Sequence, residues 1–291
     1  YMTKSKMSVY RVSAYLKTDV QPVVLQVALL SCLKRFPLFA TSIRNGCFWH
    51  YIDALNRRFE ISEEKFLPCV PINVSTRRSP SFRVGYFGKR ISLEVFHILT
   101  DGTGAMVFLK TLVREYNRLM GIDMQLAEDV LDVNERPDCG ELEDAFIAGS
   151  EAERAEGFFE PKAPQLKGRR TQKQPAGVSQ LIMSASLLKS EAEKRKTTDT
   201  ALMLTLIFLA IDKSIKIGCT GSPAVQVPVN MRNYYSTKTL RNYSMYAVIK
   251  LRRDEISDLP HTLAVVKKRL NEGVDKSSLD RMIAMTNKLV S

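Results

Sequence analysis

Phe96-His97-Ile98-Leu99-Thr100-Asp101-Gly102 is the stretch on which the reading of this 291-residue chain turns. Alternating apolar residues over Ile91–Phe96 predict a strand that runs into His97. A strongly periodic helix follows from about Thr103 to Met120. The tight turn between them holds one imidazole at a strand end with little freedom. Histidine suits proton abstraction because its unperturbed pKa lies near neutrality. Asp101, four residues on, is ionised and needs a partner: it either swings away onto an arginine or caps the following helix. Gly102 is expected to permit a backbone conformation that a side chain would hinder.

Upstream, Phe82–Phe87 and Ile91–Phe96 read as a hairpin whose Gly88-Lys89 turn suits a type II′ loop. Ser8–Lys17 and Gly46–Ile52 read as further strands. Pro22 opens a helix where its missing N–H costs nothing, and Pro37 stops it; Val23, Val24, Val27, Leu30 and Leu33 are expected to form its apolar face. On the helix after Asp101, the expected apolar side is Met106, Leu109, Val113 and Tyr116, with Gly121 as its C′ residue. Downstream come a strand at Val178–Ala185, helices over 187–196 and from Thr198 or Asp199 to about Lys216, strands at Ala224–Val229 and Tyr243–Leu251, and helices at Pro260–Leu270 and Leu279–Val290. Strands and helices interleave throughout, which places the chain in the α/β class.

Composition narrows the function. Hydrophobic residues make up 45% and charged residues 25%, ordinary globular usage. The longest apolar run, Ala201–Ile211, is too short to cross a membrane. Five cysteines without a CxxC point to free thiols in a reducing, cytoplasmic setting and away from zinc. The net charge of +12 invites nucleic acid, but no nucleic-acid motif accompanies it, and anionic thioesters or acidic carrier proteins fit equally. Residues 122–160 are acidic, and Pro161–Gly177 is rich in Pro, Gly, Lys, Arg and Gln, as a mobile linker is. The segment Glu141–Phe159 reads as an acidic helix, solvated or lying over basic surface. Gly102-Thr103-Gly104 lacks the third glycine of a dinucleotide loop, and Ser186-Leu187-Leu188-Lys189 lacks the companions of a penicillin-binding SxxK site.

The stretch at 96–102 resembles the HHxxxDG motif of the chloramphenicol acetyltransferase-like superfamily, which includes condensation domains, wax ester synthases and alcohol O-acetyltransferases. Phe96 stands where the first histidine of that motif would be; in the family the second carries the chemistry. Val227-Pro228-Val229-Asn230-Met231-Arg232 is similar to the family's second-half strand, and Thr239-Leu240-Arg241-Asn242-Tyr243 resembles the following segment of the alcohol acetyltransferase-like branch.

The resemblance implies two α/β sandwich halves side by side: an N-terminal one over 1–145 carrying the motif, a charged linker over 146–177, and a C-terminal one over 178–291. Family members continue past the equivalent of Val290, so the second half is expected to be incomplete. It implies an O- or N-acyltransferase that moves an acyl group from a thioester to a small alcohol or amine. The donor, as co-substrate and not as bound cofactor, would be acyl-CoA or acyl-phosphopantetheine, the latter on an acidic carrier protein. His97 would be the general base in a tunnel between the halves, with no metal. Asp101 and Gly102 would support the site, with Arg232 as the partner of Asp101. Asn230 and Ser244 are candidate oxyanion or substrate contacts. The alternative is a degenerate, non-catalytic binding or carrier-docking module of the same fold.

Overall fold

The computed structural model describes residues 8–45, 50–55, 59–65, 67–72, 80–146, 163, 181–214 and 221–290. They divide into two compact units, one of Tyr1–Ala145 with Ser236–Tyr243, the other of Phe146–Tyr235 with Ser244–Ser291. The expected linker over 146–177 lies outside the described residues, Phe146 and Ala163 apart.

In the first unit a four-stranded sheet is ordered β1-β6-β5-β4, from β1 (Val9–Tyr15), β6 (Arg90–Phe96), β5 (Phe82–Phe87) and β4 (Ser62–Glu63). β1, β6 and β5 run antiparallel to their neighbours, and β4 joins β5 in parallel. A separate pair, β2 (Thr41–Asn45) with β3 (His50–Ala54), is antiparallel. The expected strand at Gly46–Ile52 is thus displaced onto β3, and residues 46–49 lie outside the described residues. Two helices, α1 (Pro22–Arg35) and α2 (Gly102–Leu119), pack on each other, and α2 packs on β1.

The hairpin turn follows from its two residues. Phe87 pairs with Arg90, leaving Gly88-Lys89 as the loop. Gly88 has φ of 50° and Lys89 is not among the residues with positive φ, as a type II′ turn requires. On β6, Ile91, Leu93 and Val95 enter the main core with Leu25, Leu29, Phe36, Phe39 and Phe108. The other face carries Ser92, Glu94 and Phe96, also buried.

That second face is charged. Glu94 lies between Arg11, whose Nε donates at 2.7 Å, and Arg83, and it also accepts the Cys69 N–H at 2.8 Å. Glu64 accepts from Arg11 at 2.8 Å and Arg90 at 2.7 Å. Burial pushes the Glu64 carboxyl up, but a hydrogen bond from the Ser92 hydroxyl and the guanidiniums of Arg90 and Arg11 together more than reverse this and hold it below its ordinary 4.5. A carboxylate held low in the folded state stabilises the fold above its unfolded pKa, and that contribution is lost as the pH falls through the folded value. The urea midpoint is therefore expected to drop below about pH 5, and the gap to Glu64→Gln to close in acid. Midpoints that stay parallel from pH 7 to pH 3 would remove this role.

Two expected apolar faces are corrected. On α1 the buried side chains are Leu25, Ala28, Leu29, Cys32 and Leu33, whereas Val23, Val27 and Leu30 are exposed, Val23 at 78%. The helix is apolar nearly all round, so the stripe that packs on α2 is chosen by tertiary contact. On α2 the buried line is Ala105, Phe108, Leu109, Leu112 and Tyr116, with Met106 exposed. Gly121 does take the left-handed conformation at φ 78°, its N–H bonding to the Arg118 carbonyl.

The second unit holds α3 (Ala185–Lys194), α4 (Asp199–Ser214), α5 (Leu259–Gly273), α6 (Lys276–Val290) and an antiparallel pair, β7 (Ala224–Asn230) with β8 (Ser244–Lys250). Thr198 caps α4, accepting the Ala201 N–H at 3.2 Å. α5 packs on α4 and β8. The expected strand at Val178–Ala185 is not found in its described part: Leu181–Ser184 is irregular, and Ser184 caps α3 through the Leu187 N–H. No helix among the described residues is long and apolar enough to cross a membrane.

Candidate active site

β6 ends at Phe96, and the chain turns at once, the Leu99 N–H closing back onto the Phe96 carbonyl at 2.9 Å. Phe96 is buried in a small cluster with Ile43 and Ile72. The side chain at this position enters apolar packing, which suits phenylalanine.

His97 is held by its main chain on both sides. Its N–H donates to the Ser8 carbonyl at 2.8 Å, and its carbonyl accepts from Asn242 Nδ2 at 3.0 Å. The imidazole rests against the Tyr10 ring, centroids 4.8 Å apart and planes tilted by 54°. The residue as a whole is half-buried, and Tyr10 braces its ring.

Asp101 is buried, and both carboxylate oxygens take backbone donors. Oδ1 accepts the Gly104 N–H at 3.1 Å, capping α2, and Oδ2 accepts the Tyr243 N–H at 2.8 Å. Asp101 therefore caps α2 and, through a long-range bond, ties down Ser236–Tyr243. The Tyr10 hydroxyl donates to the main-chain carbonyl of Asp101 at 2.7 Å, with the Thr100 carbonyl 3.0 Å away. Burial pushes the Tyr10 phenol well above its ordinary 10.0, and the Asp101 charge adds to this, so it stays a neutral donor. Thr100 Oγ1 donates to the Leu240 carbonyl at 2.6 Å.

Ser236–Tyr243 is clasped along the acidic segment that precedes it in the same unit. The Leu240 N–H bonds to the Glu141 carbonyl at 2.8 Å, and Thr239 Oγ1 to that of Glu143 at 2.7 Å. Lys238 pairs with Asp138 at 2.7 Å and Arg241 with Asp144 at 3.2 Å. Arg35 holds Glu141 in a two-pronged bond, both prongs 2.6 Å. In the described part of the expected acidic helix, Glu141 and Leu142 end a 3-10 turn that begins at Cys139, residues 143–146 are not helical, and Glu141 and Asp144 meet arginines.

Gly102 needs correction. A Cβ there would meet nothing within 4 Å, and its φ is not in the left-handed region. The demand for glycine falls two residues later. A Cβ on Gly104 would lie 2.1 Å from Thr100 Oγ1 and 2.5 Å from the Leu240 carbonyl oxygen.

In the second unit, β7 ends at Asn230, which stands opposite Ser244 in the strand register. Asn230 Oδ1 accepts the Arg232 N–H at 3.2 Å and Nη1 at 3.1 Å. Asn230 thus orients the half-buried Arg232 guanidinium.

Sequence reasoning missed Tyr10 and Asn242 as supports of His97. Asn242 sits in the quoted motif at 239–243, but nothing local marks Tyr10.

No family model matches the chain. The polyketide synthase associated protein 5 of Mycobacterium tuberculosis superposes with a TM-score of 0.62 at 12% identity, covering 96% of this chain and 72% of that one. The epimerization domain of the third module of tyrocidine synthetase B gives 0.62 at 13%, covering 96% and 69%. The first condensation domain of the calcium-dependent antibiotic synthetase gives 0.60 at 16%, covering 94% and 70%. The chain has a condensation-domain fold. It is the chloramphenicol acetyltransferase-like fold expected from residues 96–102, and the identities are low enough that the likeness carries the fold alone. In sequence, the chain is 27% identical over 212 residues to the uncharacterized protein Rv2305 of Mycobacterium tuberculosis. The match covers 65% of this chain and 47% of that protein, so the chain spans about half the length of the curated relatives it matches. On this condensation-domain fold, His97, Asp101 and the clasped segment at 236–243 all belong to the first unit.

Proposed function

We propose that the chain carries the base-bearing part of a thioester-dependent acyltransferase. His97 takes the proton from an alcohol or amine acceptor as its oxygen or nitrogen attacks the thioester carbonyl. The carbon–sulfur bond breaks, the imidazolium returns the proton to the departing thiolate, and an ester or amide forms with no acyl-enzyme. The donor is acyl-CoA or acyl-phosphopantetheine, the latter on an acidic carrier protein suited to a chain of net charge +12. The observation that supports this reading best is the pinning of His97 at both main-chain groups while the residue stays half-buried.

Asp101 is structural: with both oxygens on backbone N–H groups, it fixes the turn that carries His97. The reading gives Arg232 the role of its counter-charge, oriented by Asn230, and leaves Ser244 as an oxyanion contact. A double-mutant cycle of Asp101→Asn with Arg232→Gln tests the pairing. Coupling of roughly 1 kcal/mol or more in stability is expected, and additive losses would remove the pair.

The test of function is to supply acyl-CoA or acyl-pantetheine with a panel of alcohols and amines, following free thiol and acylated product. Acceptor-dependent product formation that His97→Ala abolishes is expected. Thiol release that ignores both the acceptor and His97 would overturn the proposal.

A further inference from the structure

The strand register decides what lies beside the imidazole. Val9 stands opposite Phe96, and the His97 N–H on the Ser8 carbonyl, at 2.8 Å, carries that antiparallel ladder one residue further. Side chains alternate between the faces of a strand, so Val9 and Phe96 share one face, where both pack with Ile43 and Ile72. Ser8, Tyr10 and His97 share the other. Tyr10 is thus the diagonal neighbour of His97, a distance that an aromatic side chain spans. Its ring lies against the imidazole with centroids 4.8 Å apart.

The imidazole has little else to orient it. Among the described residues no hydrogen bond reaches either of its ring nitrogens, and the Asp101 carboxylate is turned onto the Gly104 and Tyr243 N–H groups. The bonds to Ser8 and Asn242 fix the main chain of His97 and place no restraint on its side-chain torsions. Tyr10, by contrast, is held at both ends. Its main chain lies in the β1–β6 ladder, and its hydroxyl donates to the Asp101 carbonyl at 2.7 Å with the Thr100 carbonyl 3.0 Å away. Those carbonyls belong to the turn that carries the chain from His97 into α2.

We infer that Tyr10 is the positioning residue of the base: its ring sets the direction of the imidazole, and its hydroxyl ties that ring to the turn at Thr100–Asp101. It acts through His97. A base works only while its nitrogen stays within hydrogen-bond reach of the proton it takes, and a ring that swings loses that geometry. The effect on rate rests on the acyltransferase reading; the ordering of the ring does not.

Two variants and two readouts test this. Tyr10→Phe keeps the ring and removes the hydroxyl, and Tyr10→Leu removes the ring. With the donor and acceptor that turn over fastest in the panel, Tyr10→Leu is expected to lower kcat per folded molecule by roughly ten- to a hundredfold, with KM changed less than about threefold. Tyr10→Phe is expected to restore kcat to within about fivefold of the parent. A kcat per folded molecule that Tyr10→Leu leaves unchanged, or equal losses in the two variants, overturns the inference. The second readout needs no turnover. The chain has three histidines, His50, His97 and His261, so histidine-selective carbon-13 labelling gives few ring signals, and His97→Gln assigns the one that matters. A nuclear Overhauser contact between the His97 and Tyr10 rings is expected in the parent, to persist in Tyr10→Phe, and Tyr10→Leu is expected to shift the His97 signal. Absence of the contact in the parent, or a His97 signal that Tyr10→Leu leaves in place, overturns the inference, and the parent measurement decides should Tyr10→Leu fail to fold. The ring contact without any transfer would instead remove the acyltransferase reading and leave Tyr10 as the residue that orients His97.

Discussion

His97→Ala is expected to lower the rate of acyl transfer by about 10²–10⁴-fold while leaving the fold nearly as stable as before. The two halves of that expectation come from different contacts. The rate falls because a general base acts through its ring, and on the proposed reading the ring of the half-buried His97 takes the acceptor's proton. Stability is spared because the bonds that fix the turn are main-chain bonds, Ser8 to His97 N–H and Asn242 to the His97 carbonyl, which alanine keeps. The loss is the ring contact with Tyr10, worth roughly 0.5–1.5 kcal/mol. Steady-state rates and thermal unfolding on the same preparation check both. A variant that keeps more than about a tenth of the rate would exclude general-base action. A variant that loses rate and fold together would make His97 a packing residue.

What the sequence made legible, and what it did not, follows the range of the forces involved. Element ends were readable wherever one or two residues decide them: Pro22 at the start of α1, Gly88-Lys89 in the hairpin, Thr198 before α4, Gly121 after α2. Each acts through local φ or a local hydrogen bond. Burial phase was not readable on α1, because both the Val23–Val27–Leu30 stripe and the Leu25–Ala28–Leu29–Cys32 stripe are apolar. Only the partner helix distinguishes them. The candidate site divides the same way. His97 and Asp101 stand out because strand, turn and helix are contiguous in the chain. Tyr10 reaches Asp101 across 91 residues, and no pattern around it announces that contact.

The two glycines of the motif show the same limit and give the second large effect. In sequence Gly102 and Gly104 look alike, and the first reads as the one the turn requires. The crowding that distinguishes them comes from Thr100 and from Leu240, the latter 140 residues after Thr100 and bonded to its hydroxyl. Gly104→Ala is expected to destabilise the first unit by roughly 2–3 kcal/mol. An added Cβ cannot stay 2.1 Å from Thr100 Oγ1 and 2.5 Å from the Leu240 carbonyl oxygen. The second of these is main chain, so no side-chain rotation relieves it. Ser236–Tyr243 must shift, straining the Thr100–Leu240 bond and the Asp101 bond to the Tyr243 N–H. Alanine's better helix propensity returns only about 1 kcal/mol. Gly102→Ala meets nothing within 4 Å and is expected to stay within about 0.5 kcal/mol of the parent. Because Asn242 lies on the displaced segment, Gly104→Ala should also lower transfer activity below what its folded fraction explains, and Gly102→Ala should not. Chemical denaturation of the two variants, with activity normalised to folded protein, reads both effects. Equal stabilities for the two would mean that the helix start and the clasped segment are not in contact as described.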